Sequence, residues 1–132
     1  MKLVKVIIKP ERFEFVKKAL DENGFSGMTI TEVKGRGEQK GITIEYRGGH
    51  MTVELLPKIQ IEMVVNSEKV DHLVSTIMQS ARTGIVGDGH IFVIPVEKAI
   101  RIRTGETREE SPVGGRFGLP MQSAAELSAT GE

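Results

Sequence analysis

Strand-like and helix-like segments alternate along most of the chain, and the same order occurs twice. The strand-like segments are rich in Val and Ile and cover residues 2–8, 28–34, 53–65 and 90–95. The helix-like segments have apolar residues at helical spacing and cover residues 10–24 and 67–81. Two consecutive β-α-β units predict an α+β fold, a ferredoxin-like βαββαβ sandwich whose two helices lie on one face of the sheet.

Each predicted helix has an apolar stripe and recognisable ends. Pro10 is suited to the start of the first helix, and Gly24 is suited to its end. Ser67 is the expected N-cap of the second helix. The stripes consist of Phe13, Val16 and Leu20 in the first helix and of Val70, Leu73, Val74, Ile77 and Met78 in the second. They predict that one side of each helix packs against the sheet.

The other face of the predicted sheet has no helix to cover it. Within residues 53–65, Ile59, Ile61 and Met63 alternate with polar residues, which predicts a strand with one buried side. Ile and Val residues on the uncovered face must be buried in some other way. Self-association buries them, so we expect a closed ring or a dimer instead of a monomer.

Two segments do not fit the repeated pattern. Residues 35–52 are polar and rich in glycine and charge. We interpret them as a long loop, and a loop of this length in a compact domain is normally functional or disordered. Residues 107–132 are rich in Gly, Ser, Pro and Ala, which predicts a flexible tail behind a folded domain of residues 1–106.

The charge balance and the absence of cysteine exclude several classes of function. The chain has 18 Lys and Arg residues and 18 Asp and Glu residues, so it lacks the basic surplus typical of direct nucleic-acid binding. Without cysteine it has no disulfide, no thiolate catalysis and no Cys-based zinc site. It has no apolar run near the ~20 residues of a membrane-spanning helix and no secretory h-region, so the expected location is the cytoplasm.

Two features are suited to binding phosphate. A glycine-rich turn, TGIVGDG at residues 83–89, allows backbone N–H groups to converge on an anion, although a plain tight turn is the alternative. The predicted last strand, KAIRIR at residues 98–103, points Arg101 and Arg103 to the same side. Guanidinium groups match phosphate oxygens in shape and charge. The alternative is a solvated strand face with ion pairs to nearby carboxylates.

Other candidate groups favour a binding protein over an enzyme. Lys58 and Glu62 lie four residues apart on one side of a predicted strand. They form either a surface ion pair of little energetic value or a pair in which Glu62, as the counter-ion, holds Lys58 near a ligand. His50 and His90 are far apart in sequence and do not by themselves support a metal site. No Ser-His-Asp spacing or catalytic pair of carboxylates stands out.

Two separated motifs together carry a family resemblance. They are GRGEQKGITIEYRGG with VELLPKIQIEMVV, and ARTGIVGDGHIFVIPVEKAIRIRTGE. With them, residues 1–106 resemble the nitrogen regulatory P-II signal-transduction family. The resemblance implies a homotrimer that binds ATP or ADP in the clefts between subunits, and 2-oxoglutarate through a magnesium ion on the ATP. Residues 36–55 are similar to the T-loop that docks on a target transporter or enzyme of nitrogen metabolism, and residues 83–90 to the phosphate-holding B-loop.

The resemblance also assigns roles by position. The implied nucleotide-binding residues are Ile7, Gly35, Gln39, Val64, Gly87, Asp88, Gly89, His90, Arg101 and Arg103. The implied effector-binding residues are Gln39, Lys58 and Glu62, with Gln39 on the ATP-bound magnesium and Lys58 on a carboxylate of 2-oxoglutarate. The implied partner-docking residues are Arg47, His50 and Met51.

The chain departs from the family pattern at four positions. Glu38 replaces an arginine, and His90 a lysine, that most members place on the phosphates. Triphosphate binding should therefore weaken more than diphosphate or monophosphate binding. Met51 and Gly49 occupy the positions of a modified tyrosine and of a serine that some members modify. The resemblance thus implies no uridylylation or phosphorylation at these two positions, and Tyr46 lies outside them.

Three other functions stay open from the sequence. The first is a P-II-like regulator of another transport or carbon-assimilation system that senses ADP or AMP. The second is a slow nucleotide hydrolase in which Glu38 or His90 assists a water molecule. The third is an oligomeric adaptor that has lost nucleotide binding. For a P-II-type regulator we expect contact with a membrane only through a transporter partner.

Overall fold

An antiparallel sheet with two helices forms the main body of the protein. The structure is a computed structural model that describes residues 1–36, 42–53 and 55–109. Its strands are β1 (Lys2–Ile8), β2 (Thr29–Gly35), β3 (Ile42–Tyr46), β4 (Gly49–Val53), β5 (Leu56–Val65), β6 (Gly89–Pro95), β7 (Lys98–Ile100) and β8 (Thr107–Glu109), and its helices are α1 (Phe13–Glu22) and α2 (Val70–Ala81). The main sheet has the order β2-β5-β1-β6 with antiparallel neighbours, which confirms the predicted ferredoxin-like α+β fold.

Both helices pack on the same face of the main sheet, because the strands bury alternate residues there. The buried strand residues are Val4, Val6 and Ile8 of β1 and Ile61 and Met63 of β5, and the buried helix residues include Val16, Leu20, Leu73 and Ile77. Burying one aliphatic side chain of this size stabilises the fold by roughly 1.5–3 kcal/mol. The helical stripes and the strand alternation are thus confirmed, apart from Met78, whose side chain is 43% exposed.

The ends of the helices agree with the sequence at one position and differ at another. Gly24 follows α1 with φ +83°, a conformation that glycine adopts without strain, and it ends the helix as predicted. Ser67 is not the N-cap of α2, because a 3-10 turn at Ser67–Lys69 precedes that helix. The Ser67 hydroxyl instead accepts a hydrogen bond from the Met1 amino group at 2.9 Å. Within the described residues, no helix is long and apolar enough to span a membrane.

The segment expected to be a long loop contains a β-hairpin. Strands β3 and β4 pair with each other from Ile42↔Val53 to Tyr46↔Gly49. Only two residues, Arg47 and Gly48, connect them, and such a tight connection suits paired antiparallel strands. The prediction of a loop throughout residues 35–52 is therefore wrong for this part. Residues 37–41, which include Glu38 and Gln39, lie outside the described residues.

A second hairpin follows the main sheet and corrects the predicted last strand. β7 ends at Ile100, and a turn leads to β8, which pairs with β7 in antiparallel register. Gly105 has φ +72° in this turn, and its N–H donates to the Arg101 carbonyl at 2.7 Å. Residues 107–109, which the sequence assigns to the tail, thus belong to a strand. Residues 110–132 lie outside the described part of the chain.

The face of the main sheet opposite the helices carries exposed apolar side chains. Directly paired residues share a face, so Leu3, Val64 and Ile94 form one row across the sheet. The exposed fraction is 51% for Val64, 46% for Phe92 and 39% for Ile94. We call this surface, formed by Leu3, Ile7, Val64, Phe92 and Ile94, the open face. Its burial by self-association stays a prediction.

Candidate anion-binding turn

The glycine-rich turn connects α2 to β6 and reaches the end of β1. Gly89, the first residue of β6, pairs with Ile8 and has φ +112°. A Cβ atom at this position would collide with the carbonyl oxygen of Ile7. Only glycine allows the backbones to approach so closely with this dihedral angle. The sequence of the turn therefore fixes its position next to the first strand.

Asp88 closes the turn from within. Its Oδ2 accepts hydrogen bonds from the N–H groups of Thr83 and Gly84, both at 2.8 Å. Its Oδ1 accepts a hydrogen bond from the Thr83 hydroxyl and lies 3.3 Å from Lys9 Nζ. The hydroxyl and N–H of Thr83, followed by the N–H of Gly84 and by Lys9, hold the pKa of the Asp88 carboxyl well below its usual range. The turn is expected from its sequence to bind an external anion through its backbone N–H groups. The N–H groups of Thr83 and Gly84 are instead already bonded to the carboxylate of Asp88.

Two lysines flank the turn at Gly87. Lys58 Nζ donates a hydrogen bond to the Gly87 carbonyl at 3.0 Å. A Cβ atom on Gly87 would lie 3.4 Å from Lys9 Cε and 3.7 Å from Lys58 Nζ. Gly35 is also close, because a Cβ atom there would lie 3.8 Å from Lys58 Cγ. The structure therefore places Gly35, Lys58 and Gly87 close together, with Lys9 beside them.

Lys9 and Thr83 are not among the residues predicted from the sequence. Lys9 follows the last residue of β1, and Ile8 pairs with Gly89 at that point. The pairing of β1 with β6 is what places Lys9 beside the turn. Such pairing is a tertiary feature, and Lys9 belongs to no motif that would reveal it. Thr83 begins the predicted glycine-rich turn, but the sequence assigned it no contact of its own.

Lys58 and Glu62 do not form the ion pair that both interpretations of them assumed. Within the described residues, the Lys58 ammonium bonds to the Gly87 carbonyl, and Glu62 Oε1 accepts a hydrogen bond from Gln60 Nε2 at 3.4 Å. Both side chains still lie on the open side of β5, with Gln60 between them. Glu62 is therefore not the counter-ion that holds Lys58, and the turn is what holds it.

Ile7 and His90 lie side by side on neighbouring strands. They are directly paired across β1 and β6, on the open side of the sheet. The His90 ring stacks on the Phe92 ring with centroids 5.9 Å apart and planes 16° apart. A flat aromatic pair next to a glycine-rich turn provides an apolar surface beside a polar one.

The other predicted nucleotide-binding residues lie at the opposite end of the sheet. Ile7, Asp88, Gly89 and His90 line a cavity of about 450 Å³ next to α2. Val64 and Arg101 line another, of about 520 Å³, near the start of β1. Val64 pairs with Leu3, which lies four residues before Ile7 on β1, and this is a separation of ~13 Å at the rise of a strand. A single chain therefore places these residues in two separate groups.

The two arginines do not share a strand face. Arg101 follows the end of β7 and is half-buried, and its N–H donates to the Glu106 carbonyl at 2.9 Å. Arg103 lies in the turn between β7 and β8 and is exposed. The alternation expected of a strand ends where the chain turns back, so the prediction that both point to one side of a strand is wrong.

The predicted partner-docking residues lie on the β3–β4 hairpin. Arg47 is in the connecting turn and His50 is in β4, and both are exposed. Met51 is also in β4, and its side chain lies outside what the structure describes. Among the described residues, no group of three or more His, Cys, Asp or Glu side chains could hold a metal ion. Gln39, the predicted contact to magnesium, is not among them.

Comparisons with known proteins agree on one family. A family model described as nitrogen regulatory protein P-II matches residues 1–106. Nitrogen regulatory protein P-II 2 of Methanothermobacter thermautotrophicus is 53% identical over 111 residues, which cover 84% of this chain and 96% of that protein. Proteins named nitrogen regulatory protein P-II are 50% identical in Pasteurella multocida and 52% identical in Rhodobacter capsulatus, and each alignment covers 84% of this chain and 99% of the relative.

Proposed function

The chain belongs to the nitrogen regulatory protein P-II family, and from this premise we propose that it is a signal-transduction protein that binds adenine nucleotides. In this proposal it regulates a target transporter or enzyme of nitrogen metabolism and catalyses no reaction itself. It works in the cytoplasm and reaches a membrane only through a transporter partner.

The observation that carries this proposal is the turn with its two lysines. Lys58 and Lys9 bring two ammonium groups to Gly87, on a turn whose glycines leave the backbone uncovered. Ammonium groups and backbone N–H groups are the donors that phosphate oxygens need. The described residues therefore fit the polyphosphate of ATP or ADP. His90 and Ile7, next to the turn, continue the site along the sheet.

The two separate groups of predicted residues support a site between subunits. An extended nucleotide has its base at one end and its phosphates at the other, so we assign the phosphates to Gly87–His90 and the base to the region of Val64 and Arg101. A homotrimer would bring such groups from neighbouring copies together and would bury the apolar open face. Arg103, exposed in a single chain, would then reach the nucleotide of a neighbouring subunit.

A second effector and the target would act through the same region. Lys58 is the proposed contact of a 2-oxoglutarate carboxylate, and magnesium on ATP with Gln39 would hold the rest of that molecule. The Lys58 ammonium has three N–H donors, so it can bind a carboxylate while it keeps its hydrogen bond to the Gly87 carbonyl. An effector bound to Lys58 would therefore lie beside the turn, and the β3–β4 hairpin with Arg47, His50 and Met51 is the proposed surface for the target.

Isothermal titration calorimetry tests this proposal. ATP, ADP and AMP are titrated into the protein, each with and without magnesium and 2-oxoglutarate. We expect ATP and ADP to bind, and 2-oxoglutarate to bind only together with magnesium and ATP. Lys58→Met should abolish 2-oxoglutarate binding, whereas Lys34→Met, a change at an exposed residue of β2, should leave it intact.

The other outcomes point to the alternatives. If ADP or AMP binds best and 2-oxoglutarate never binds, Glu38 and His90 have redirected the site, and the protein regulates another system. If no adenine nucleotide binds at millimolar concentration, the proposed function is wrong and an adaptor without nucleotide is the remaining interpretation.

A further inference from the structure

We propose that Lys9 is a positioning residue of the nucleotide site, which acts on the glycine-rich turn through Asp88. The function proposed above uses Lys9 only as a positive charge beside Gly87. The inference here adds its contact with Asp88, and it rests on that function for the identity of the ligand. It concerns how the turn obtains a fixed shape and how the charge of Asp88 is neutralised beside a phosphate.

The turn is held by an anion that belongs to the chain. The N–H groups of Thr83 and Gly84 both donate to Asp88 Oδ2, and the Ile85 N–H donates to Thr83 Oγ1 at 3.2 Å. These N–H groups therefore form the turn and are not directed at an external ligand. Asp88 is the centre of this arrangement. Its role is to shape the turn and not to contact a phosphate, which a carboxylate would repel.

Lys9 is the cation that balances this carboxylate. Its Nζ atom lies 3.3 Å from Asp88 Oδ1 and 3.3 Å from Thr83 Oγ1. The side chains are only 19% exposed for Lys9 and 26% for Asp88. A partly shielded pair is less screened than an ion pair in open solvent. Lys9 is also the one contact to this carboxylate that comes from outside the turn, among the described residues.

The backbone conformation of Lys9 is restricted independently of its contact with Asp88. Pro10 follows it, and a residue before proline is restricted to extended conformations. Lys9 has φ −65° and ψ +138°, which fits this restriction. The preceding residue, Ile8, is buried and paired with Gly89 in β6. The ammonium group of Lys9 therefore reaches the turn from a backbone position that is fixed at the end of a core strand.

Two consequences follow for a nucleotide. Without Lys9, the carboxylate of Asp88 keeps its negative charge next to Gly87 and Gly89, where the phosphates are assigned. The turn also loses its connection to β1 outside the backbone pairing. Both effects weaken nucleotide binding, and the electrostatic effect grows with the number of phosphate charges.

A double-mutant cycle with Lys9→Met, Asp88→Asn and the double variant tests the inference. The affinity for ADP is measured by calorimetry for each variant. Lys9→Met should lower it at least about fivefold, and much less in the Asp88→Asn background, because residues that act as a unit are not additive. Lys9→Arg, which keeps the ion pair, should restore most of the affinity. Lys17→Met, the same change on the exposed side of α1, is the matched control and should have no effect.

A second readout needs no nucleotide. Amide hydrogen exchange of Thr83 and Gly84, whose N–H groups bond to Asp88, is measured in the ligand-free variants. We expect faster exchange in Lys9→Met than in the wild type, and wild-type exchange in Lys9→Arg and Lys17→Met. Exchange at the buried Val6 should not change in any variant.

Three results would overturn the inference. Equal effects of Lys9→Met in the wild-type and Asp88→Asn backgrounds mean that Lys9 acts on the phosphates directly and not through Asp88. Unchanged ADP affinity in Lys9→Met removes any role in the site. Unchanged exchange at Thr83 and Gly84 means that Lys9 does not hold the turn. Wild-type protein that binds no nucleotide is a different failure, because it refutes the proposed function while the exchange comparison still decides whether Lys9 holds the turn.

Discussion

Replacement of Gly89 by alanine should be among the most damaging single changes outside the core. The added Cβ would lie 2.9 Å from the Ile7 carbonyl carbon and 3.3 Å from Ile8 Cα, and it would collide with the Ile7 carbonyl oxygen. These contacts are backbone atoms of a central strand and cannot move aside as a flexible side chain can. The φ of +112° at this position adds strain for any residue with a side chain.

The size of the effect follows from these two costs. Strained backbone costs of order 1–3 kcal/mol, and overpacking in a well-packed region costs a further ~1–3 kcal/mol. We expect Gly89→Ala to lower the free energy of unfolding by roughly 3 kcal/mol. In a domain of about 100 residues this corresponds to a decrease in Tm of more than about 10 °C.

Thermal unfolding followed by circular dichroism measures this decrease, at one fixed protein concentration because an oligomer has a concentration-dependent Tm. Gly27→Ala is the matched control, since a Cβ there meets nothing within 4 Å and its φ is not positive. If both variants unfold within about 2 °C of each other, the close approach of Gly89 to β1 is not what the structure indicates, and the placement of the turn is wrong.

Two further predictions concern the core and the pH response. Leu20→Ala should lower the free energy of unfolding by about 2–5 kcal/mol, since Leu20 is fully buried. Leu55→Ala, at a residue 57% exposed, should change it by less than about 0.5 kcal/mol. Similar losses for both variants in urea unfolding would contradict the assignment of Leu20 to the core. Because the pKa of Asp88 is lowered in the folded state, its stabilising effect is complete above the ordinary aspartate pKa of about 3.9 and is lost as the pH falls through the folded value. The free energies of unfolding of the wild type and of Asp88→Asn, measured in urea, should therefore differ by the same amount at about pH 7 and about pH 5, and by less below about pH 4. A difference in free energy that already shrinks by about pH 5 would show that the turn does not hold the carboxylate ionised.

The strands and helices that form the core could be predicted from the sequence. Burial on one face imposes a period of two on a strand, so Ile61 and Met63 could be recognised from their alternation with polar neighbours. The same logic identified Val16 and Leu20 on a helical stripe. Gly24 could be placed at a helix end because few other residues adopt its positive φ without strain.

The errors arose where local pattern and tertiary context disagree. The sequence ITIEY alternates as a strand does, but the glycines and charges around it favoured a loop, and its partner β4 is identified only by pairing. KAIRIR alternates equally well, yet the chain leaves the strand after Ile100 because Gly105 lets it reverse into β8. Propensity is a weak guide when pairing decides the boundary of a strand.

The candidate site could be predicted in part for the same reason. The glycines of the turn and Lys58 could be identified in the sequence. Lys9 could not, because its role depends on the pairing of Ile8 with Gly89. The family resemblance also assigned Asp88 a contact to the nucleotide, whereas the geometry directs its carboxylate into the turn.

The most direct test of nucleotide binding between subunits is a titration of the ¹⁵N-labelled protein with ADP, followed by amide chemical shifts. We expect concerted shifts at the turn residues Gly87–His90 and at Val64 and Arg101, because one nucleotide contacts both groups. Little change is expected on the exposed side of α1, around Lys17. Saturable binding that shifts only amides outside the turn would contradict the assignment of the phosphate site, and a spectrum unchanged at millimolar ADP would contradict nucleotide binding itself.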